Sequence, residues 1–444
     1  MGSAEFTNAT ARGLATSIAA SEVSVRDVVD AHLRRIEDVN GAVNAVVQVD
    51  AERALDRARA ADAALARGER WGPLHGVPFT VKDNLSAAGI PMAIGVRERA
   101  GIAAATDATA VGRLKAAGGI LLGKTNCPPW GGGIETDNEV YGRTSNPYDL
   151  TRTPGGSSGG EAAIIAAQGS PLGLGTGSGA SVRLPAHFCG LASIKPSAGR
   201  VPMTGVVDDE GQVGTLGDPR TQVGPLARSA ADVALVLSLI AGPDGRDGGV
   251  PPVPLGDPDR VELRGVRVAV QTDNDLAAPT SETVATVERA ASALRAAGAT
   301  VEEARHPAGG HELTIEVWRS YGGGIGAEAL WRLLRRWDAF RGEMLAFADR
   351  YDVILCPVFA GPARPHGTMN VAGEIDPTSF TTPHSLTGWP AATVRCGTSP
   401  EGLPIDVQLV ARPWRDDLAL AAALRLEQEL GGWRPPDLAE THVG

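Results

Sequence analysis

Gly155-Gly156-Ser157-Ser158-Gly159-Gly160-Glu161-Ala162-Ala163 is followed, 24 residues after Ser157, by a second run with Ser181 near its end: Gly175-Thr176-Gly177-Ser178-Gly179-Ala180-Ser181-Val182-Arg183. Both lie within 130–200, where glycine is dense and small polar residues replace the apolar periodicity of a helix. Compact domains seldom hold so long a Gly/Ser-rich stretch unless it serves as a site. Either run alone reads as a flexible loop. Two of them at this spacing, with a lysine closing an apolar run upstream, are harder to assign to linkers.

Working outward, the flanks alternate between strand and helix signals. Val77-Pro78-Phe79-Thr80-Val81 is a short apolar run between Gly76 and Lys82-Asp83-Asn84, which predicts a buried strand ending in polar groups. A helix over 109–117 and a strand over 119–123 follow. Beyond the Gly/Ser-rich stretch the pattern predicts helices at 230–240, 284–297 and 417–430, with strands at 266–270 and 353–355. Such alternation fits βα units in a largely parallel sheet. The first 70 residues read as helical. Ser24 with Asp27 gives a start resembling a capping box, apolar residues then recur at helical spacing to Val39, and a second helix is expected over 51–67. Gly242–Asp259, rich in Gly, Pro and Asp, reads as a surface loop.

The chain has 444 residues, 43% hydrophobic and 21% charged, an ordinary globular composition with ample material for a core. Its formal net charge is −11 and no Lys/Arg run stands out, which disfavours nucleic acid or an anionic membrane surface as partner. Cys127, Cys189, Cys356 and Cys396 are at least 40 residues apart, so no CxxC metal or redox motif exists, and buried free thiols are expected. The N-terminus lacks a basic segment followed by an apolar core, and no run of about 18 apolar residues occurs, so the expectation is a cytoplasmic protein.

Serine is a weak nucleophile at neutral pH and needs a base. No histidine precedes His187 in the Gly/Ser-rich stretch, but a buried lysine can serve if desolvation keeps it neutral. A second serine can relay the proton, and glycines let backbone N–H groups approach a developing oxyanion. Three rival motifs fail on context. Gly156-Ser157-Ser158-Gly159-Gly160 fits G-x-S-x-G, but residues 148–154 are no buried strand of the kind a nucleophile elbow follows. Gly175–Ala180 fits G-x-G-x-x-A, yet Pro185 falls where a dinucleotide-binding helix should still be running. Position 79 is Phe, so no Ser-x-x-Lys ends at Lys82.

The segments His75–Asn84, Gly155–Gly160, Gly175–Pro185, Gly190–Pro196, Ser385–Ala391 and Gly402–Val410 together resemble the amidase signature family over nearly the whole chain. The resemblance implies an α/β fold: one domain spanning 1–444, with a central mixed β-sheet flanked by helices on both faces. Within it, 1–70 would be N-terminal helices, 71–240 the signature core and 260–444 the rest of the same sheet. It implies Ser181 as nucleophile, Ser157 as bridging serine after a cis peptide bond and Lys82 as terminal base. The backbone amides of Ser178, Gly179, Ala180 and Ser181 would form the oxyanion hole, and no metal or organic cofactor would be needed. The expected partner is a small amide or carbamate, with a homodimer as one assembly the resemblance admits.

The chain departs from the family's usual G-T-D-x-G-G-S, carrying Gly177 in place of Asp and Ala180 in place of Gly. If the missing carboxylate loosens the loop, restoring Asp at 177 should raise thermal stability. Gly131-Gly132-Gly133 after Trp130 would remove a wall from the substrate site, and the short stretch between Val301 and Val353 would leave a wide mouth. Trp130, Ile134, Trp318 and Tyr321 are then candidate apolar contacts for aryl groups. The leading reading is a C–N hydrolase acting on amides, aryl amides and urethanes. The alternatives are the glutamine-hydrolysing subunit of a tRNA-dependent amidotransferase and an inactive scaffold.

Overall fold

The structure is a computed structural model that describes residues 2–209, 211–321, 324–369 and 378–438. The strands are β1 (Val46–Val49), β2 (Pro78–Lys82), β3 (Ile120–Thr125), β4 (Leu172–Gly177), β5 (Ala192–Lys195), β6 (Val207–Asp208), β7 (Gly211–Gln212), β8 (Gln222–Ala227), β9 (Arg267–Val270), β10 (Thr300–Glu303), β11 (Val353–Pro357), β12 (Ala391–Thr398) and β13 (Pro404–Ala411). Eleven of them form one sheet in the order β1-β3-β2-β4-β8-β5-β12-β13-β11-β9-β10, with β6 and β7 a separate hairpin. Pairing is parallel for β3–β2, β2–β4, β11–β9 and β9–β10, and antiparallel elsewhere. The sheet is therefore mixed, as the resemblance implies, rather than largely parallel.

The central strands β2, β3, β4, β8 and β13 are buried along their whole length, which is why their sequences run apolar without clean alternation. One continuous core joins the N-terminal helices, the sheet and the C-terminal helix Asp416–Leu430. The Ser24 hydroxyl accepts Asp27 N–H at 3.0 Å and starts the helix Val25–Val43. The Asp62 carboxylate adds a tertiary cap by accepting the Val25 and Arg26 amides at 2.7 and 3.0 Å. Asn44, at φ 48°, ends that helix.

The N-terminal segment departs from the expected run of helices. Val46-Val47-Gln48-Val49 is the sheet's edge strand, antiparallel to β3. Its β-branched residues suit a strand, and the partner lies about 75 residues away, so no local pattern announces the pairing. The short stretch between β10 and β11 carries two helices among its described residues, Gly310–Tyr321 and Ala327–Ala348. No helix among the described residues is long and apolar enough to cross a membrane.

Candidate active site

Lys82 is the last residue of β2, and β2 lies between β3 and β4 deep in the sheet. Its ammonium nitrogen reaches Ser157 Oγ at 2.6 Å and Thr176 Oγ1, at the end of neighbouring β4, at 2.9 Å. Asn84 Nδ2 donates to the same Thr176 hydroxyl at 3.1 Å. Burial removes Lys82 from water and lowers its pKa to about 8. None of its hydrogen-bond partners is a carboxylate, so nothing opposes that shift strongly. The lysine is therefore neutral in about a tenth of molecules at pH 7, far more than an exposed lysine would be.

Ser157 follows a cis Gly156–Ser157 peptide and precedes the helix Gly159–Ala166. That helix is fastened to the sheet by Glu161, whose carboxyl accepts hydrogen bonds from Thr80 on β2 and, at 2.8 Å, from Thr125 on β3. Burial raises the Glu161 pKa to about 8. Glu161 thus ties the start of the helix after Ser157 to the strand that ends in Lys82 and to its neighbour β3.

The second Gly/Ser run leaves β4 and turns into the helix Arg183–Phe188. Ser158 N–H donates to Ser181 C=O at 3.2 Å, which joins the two runs. Among the described residues no hydrogen bond links the Ser157 and Ser181 hydroxyls. The amides of Ser178, Gly179, Ala180 and Ser181 likewise have no protein acceptor there, so four N–H groups remain available on one tight turn. The Gly179 carbonyl is held from behind by Arg183 Nη2 at 2.6 Å and by Ser385 Oγ at 2.9 Å. Arg183 is itself buried and also binds Gln408, Thr381 and Ser385.

These contacts bear on the two departures from the family pattern. The Ala180 methyl joins an apolar cluster with Leu184, Phe188 and Phe359, so an alanine is accommodated there. At Gly177 a Cβ would stand 3.2 Å from both Val182 N and Val182 Cγ2, in a buried strand end. The clearance and the anchoring through Arg183 and Ser385 argue against the expected gain on restoring Asp. Gly177→Asp is expected to lower stability by about 1–3 kcal/mol, the range for overpacking a buried position. A thermal melt showing a rise would restore the looser-loop account.

The three glycines that the sequence suggests would open the substrate site lie on the loop beside the end of β2. Asp83 accepts Ile94 N–H at 2.6 Å, and Ile94 C=O accepts Trp130 N–H at 2.9 Å, so the polar end of β2 positions the loop. Gly131 lies against the lysine, since a Cβ there would be 3.6 Å from Lys82 Nζ and from Asn84 Nδ2. Gly131 and Gly133 have positive φ, 69° and 142°, which favours glycine. Gly132 has φ −94° and is exposed, so it can accept a side chain. Ile134 packs against the Ala180 cluster. Trp130 is half-buried, with the Arg99 guanidinium 5.8 Å from its ring centroid. Trp318 lies on Gly179, and the Tyr321 side chain falls outside the described residues.

Sequence reasoning missed Thr176, Asn84, Glu161, Arg183 and Ser385 as parts of the site. All five stand inside the quoted motifs. For Thr176 and Asn84 the available signal was a polar side chain at or just past the end of an apolar strand, whereas Glu161, Arg183 and Ser385 lie on helices and only their tertiary contacts mark them.

The amidase family matches residues 27–321 and 324–420. A glutamyl-tRNA(Gln) amidotransferase subunit of Chloroflexus aggregans is 32% identical over 482 aligned residues, covering 96% of this chain and 97% of that protein. An acylamidase of Rhodococcus erythropolis is 32% identical over 460, covering 93% and 94%. Among solved structures, a 6-aminohexanoate cyclic dimer hydrolase aligns with a TM-score of 0.82 at 28% identity, covering 97% of this chain and 99% of that one. The chain belongs to the amidase signature family, whose fold it shares.

Proposed function

We propose that this chain is a stand-alone amidase that cleaves aryl amides and aryl carbamates alongside simple amides through an acyl-enzyme on Ser181. The observation that carries this reading is the buried Lys82 at 2.6 Å from Ser157, beside a turn with four unpaired amides.

In this mechanism the neutral Lys82 amine accepts the Ser157 proton while Ser157 takes the Ser181 proton. Ser181 Oγ then attacks the substrate carbonyl carbon. The oxyanion forms among the amides of residues 178–181, which are already oriented and need no reorganisation. The same relay returns the proton to the leaving nitrogen, so the C–N bond breaks with a neutral amine departing rather than an amide anion. Water, deprotonated by the same route, hydrolyses the ester on Ser181. With a carbamate, loss of the amine leaves a carbonate ester on the serine, and its hydrolysis releases an alkyl carbonic acid that sheds carbon dioxide.

This mechanism fixes a pH dependence. The active form holds Lys82 unprotonated, and its folded-state pKa is lowered to about 8, so activity is lost as pH falls below that value. kcat/KM should rise about tenfold per unit on the acid side and level off above about pH 8. A flat profile between about pH 6 and pH 10 would remove Lys82 from the proton relay.

The bulky-substrate reading is supported by the glycine backbone beside Lys82 and by the partly exposed Trp130 and Ile134 that flank the three glycines. Comparison of kcat/KM for acetamide, a 4-nitroanilide and an aryl carbamate tests it. Gly132→Phe should depress the two bulky substrates about tenfold or more while sparing acetamide, because the new ring would occupy the space an aryl group needs. Equal effects on all three would place position 132 outside the pocket. The similarity to a glutamyl-tRNA(Gln) amidotransferase subunit supports a second reading, in which glutamine is the substrate and a partner chain is required. Strong preference for glutamine with no bulky turnover would favour it, and absence of any turnover would favour a scaffold.

A further inference from the structure

The helix Gly310–Tyr321 belongs to the segment that the sequence marks as a short cover, yet it reaches the centre of the site. Its indole, Trp318, lies directly on Gly179. A Cβ at 179 would fall 2.6 Å from both Trp318 Cη2 and Cζ2, so the ring occupies the place a side chain would take. Thr382 Cγ2 borders the same spot at 3.7 Å. Thr382 also anchors the helix, through its hydroxyl to His311 Nδ1 at 2.8 Å and its carbonyl to Thr314 Oγ1 at 3.4 Å. Beyond the indole stands Arg220, with its guanidinium carbon 5.8 Å from the ring centroid and its Nε on Asp218 at 2.7 Å.

Gly179 is therefore held on two sides by different means. Its carbonyl is fixed by Arg183 and Ser385, and its Cα is covered by Trp318. The peptide between Gly179 and Ala180 carries one of the four unpaired N–H groups, so whatever fixes Gly179 also aims that donor.

We infer that Trp318 is a positioning residue for the oxyanion turn. It acts through Gly179 and is more than an apolar wall for substrate. This inference rests on the reading of Ser181 as nucleophile but not on which amide is cleaved. An aromatic ring at 318 is required for transition-state stabilisation with every substrate, and glycine at 179 is required because the ring needs its space.

The test uses the full chain with a small amide and a fluorophosphonate, which reacts at the nucleophile regardless of amide preference. Trp318→Ala should lower kcat and the fluorophosphonate labelling rate by about 10- to 100-fold with KM for the small amide nearly unchanged. Trp318→Phe should keep most of both. Gly179→Ala should show a comparable loss, since φ at 179 lies outside the left-handed region and the added methyl acts by displacing the ring. The double variant Gly179→Ala/Trp318→Ala should be no worse than Trp318→Ala alone, because the clash disappears with the indole. Thermal melts identify variants that have lost the fold. Additive losses in the double variant, or a Trp318→Ala change confined to KM, would overturn the inference. Failure of the wild type to label at Ser181 would instead defeat the nucleophile assignment on which it rests.

Discussion

Lys82→Ala should lower kcat/KM by about four orders of magnitude or more, the scale seen when a member of a nucleophile–base unit is removed. Lys82 is buried, lies 2.6 Å from Ser157, and has its pKa lowered to about 8. The proposed relay requires an amine that can shed its proton, and burial favours that by lowering the Lys82 pKa. Lys82→Arg separates this role from a merely structural charge. A guanidinium keeps the positive charge but stays protonated at any working pH, so it should be as inactive as alanine. Near-normal turnover in the Arg variant would make Lys82 a structural cation. Since a buried guanidinium could also disturb β2, the Ala variant and a thermal melt of each protein must be read with it.

In the proposed mechanism Ser181 carries the acyl group, so Ser181→Ala should cost about a millionfold in kcat, the scale measured when a catalytic serine is deleted from such a unit. Substrate affinity should change little, because the binding surface and the oxyanion donors stay in place. The effect should exceed that of Ser157→Ala, since a water molecule can take over a relay but not the acyl bond. A Ser181→Ala enzyme with appreciable turnover would mean that another serine attacks.

Much of this site was legible because its chemistry is carried by short local runs. The apolar Val77–Val81 closed by Lys82 predicts a buried strand with a charged end, and the structure places that end beside the first Gly/Ser run. The second run was legible as a candidate source of oxyanion donors because its glycines let backbone N–H groups approach closely, whereas its turn geometry was not. The Lys82–Thr176 contact was not legible, because it depends on β2 and β4 being neighbours, and these strands are about 90 residues apart in sequence. Ser385 reaches Gly179 from 206 residues away, a pairing no periodicity encodes. β1 escaped for the same reason, its strand character being fixed by β3 rather than by its own pattern. The helix Gly310–Tyr321 was legible only in part: the short connection reads as fewer covering elements with Trp318 near the site, and the structure adds that two helices fit within it and that one places Trp318 on the turn. Length alone could not show where a helix would lie.

The central claim is that Ser181, at the turn after β4, is the acylated residue. Treating the full chain with a fluorophosphonate and mapping the modified peptide by mass spectrometry tests it most directly. The account predicts a single adduct on Ser181, formed with loss of activity and sharply slowed in Lys82→Ala. An adduct on Ser158 would contradict it, because Ser158 is the serine a nucleophile elbow at Gly156–Gly160 would use.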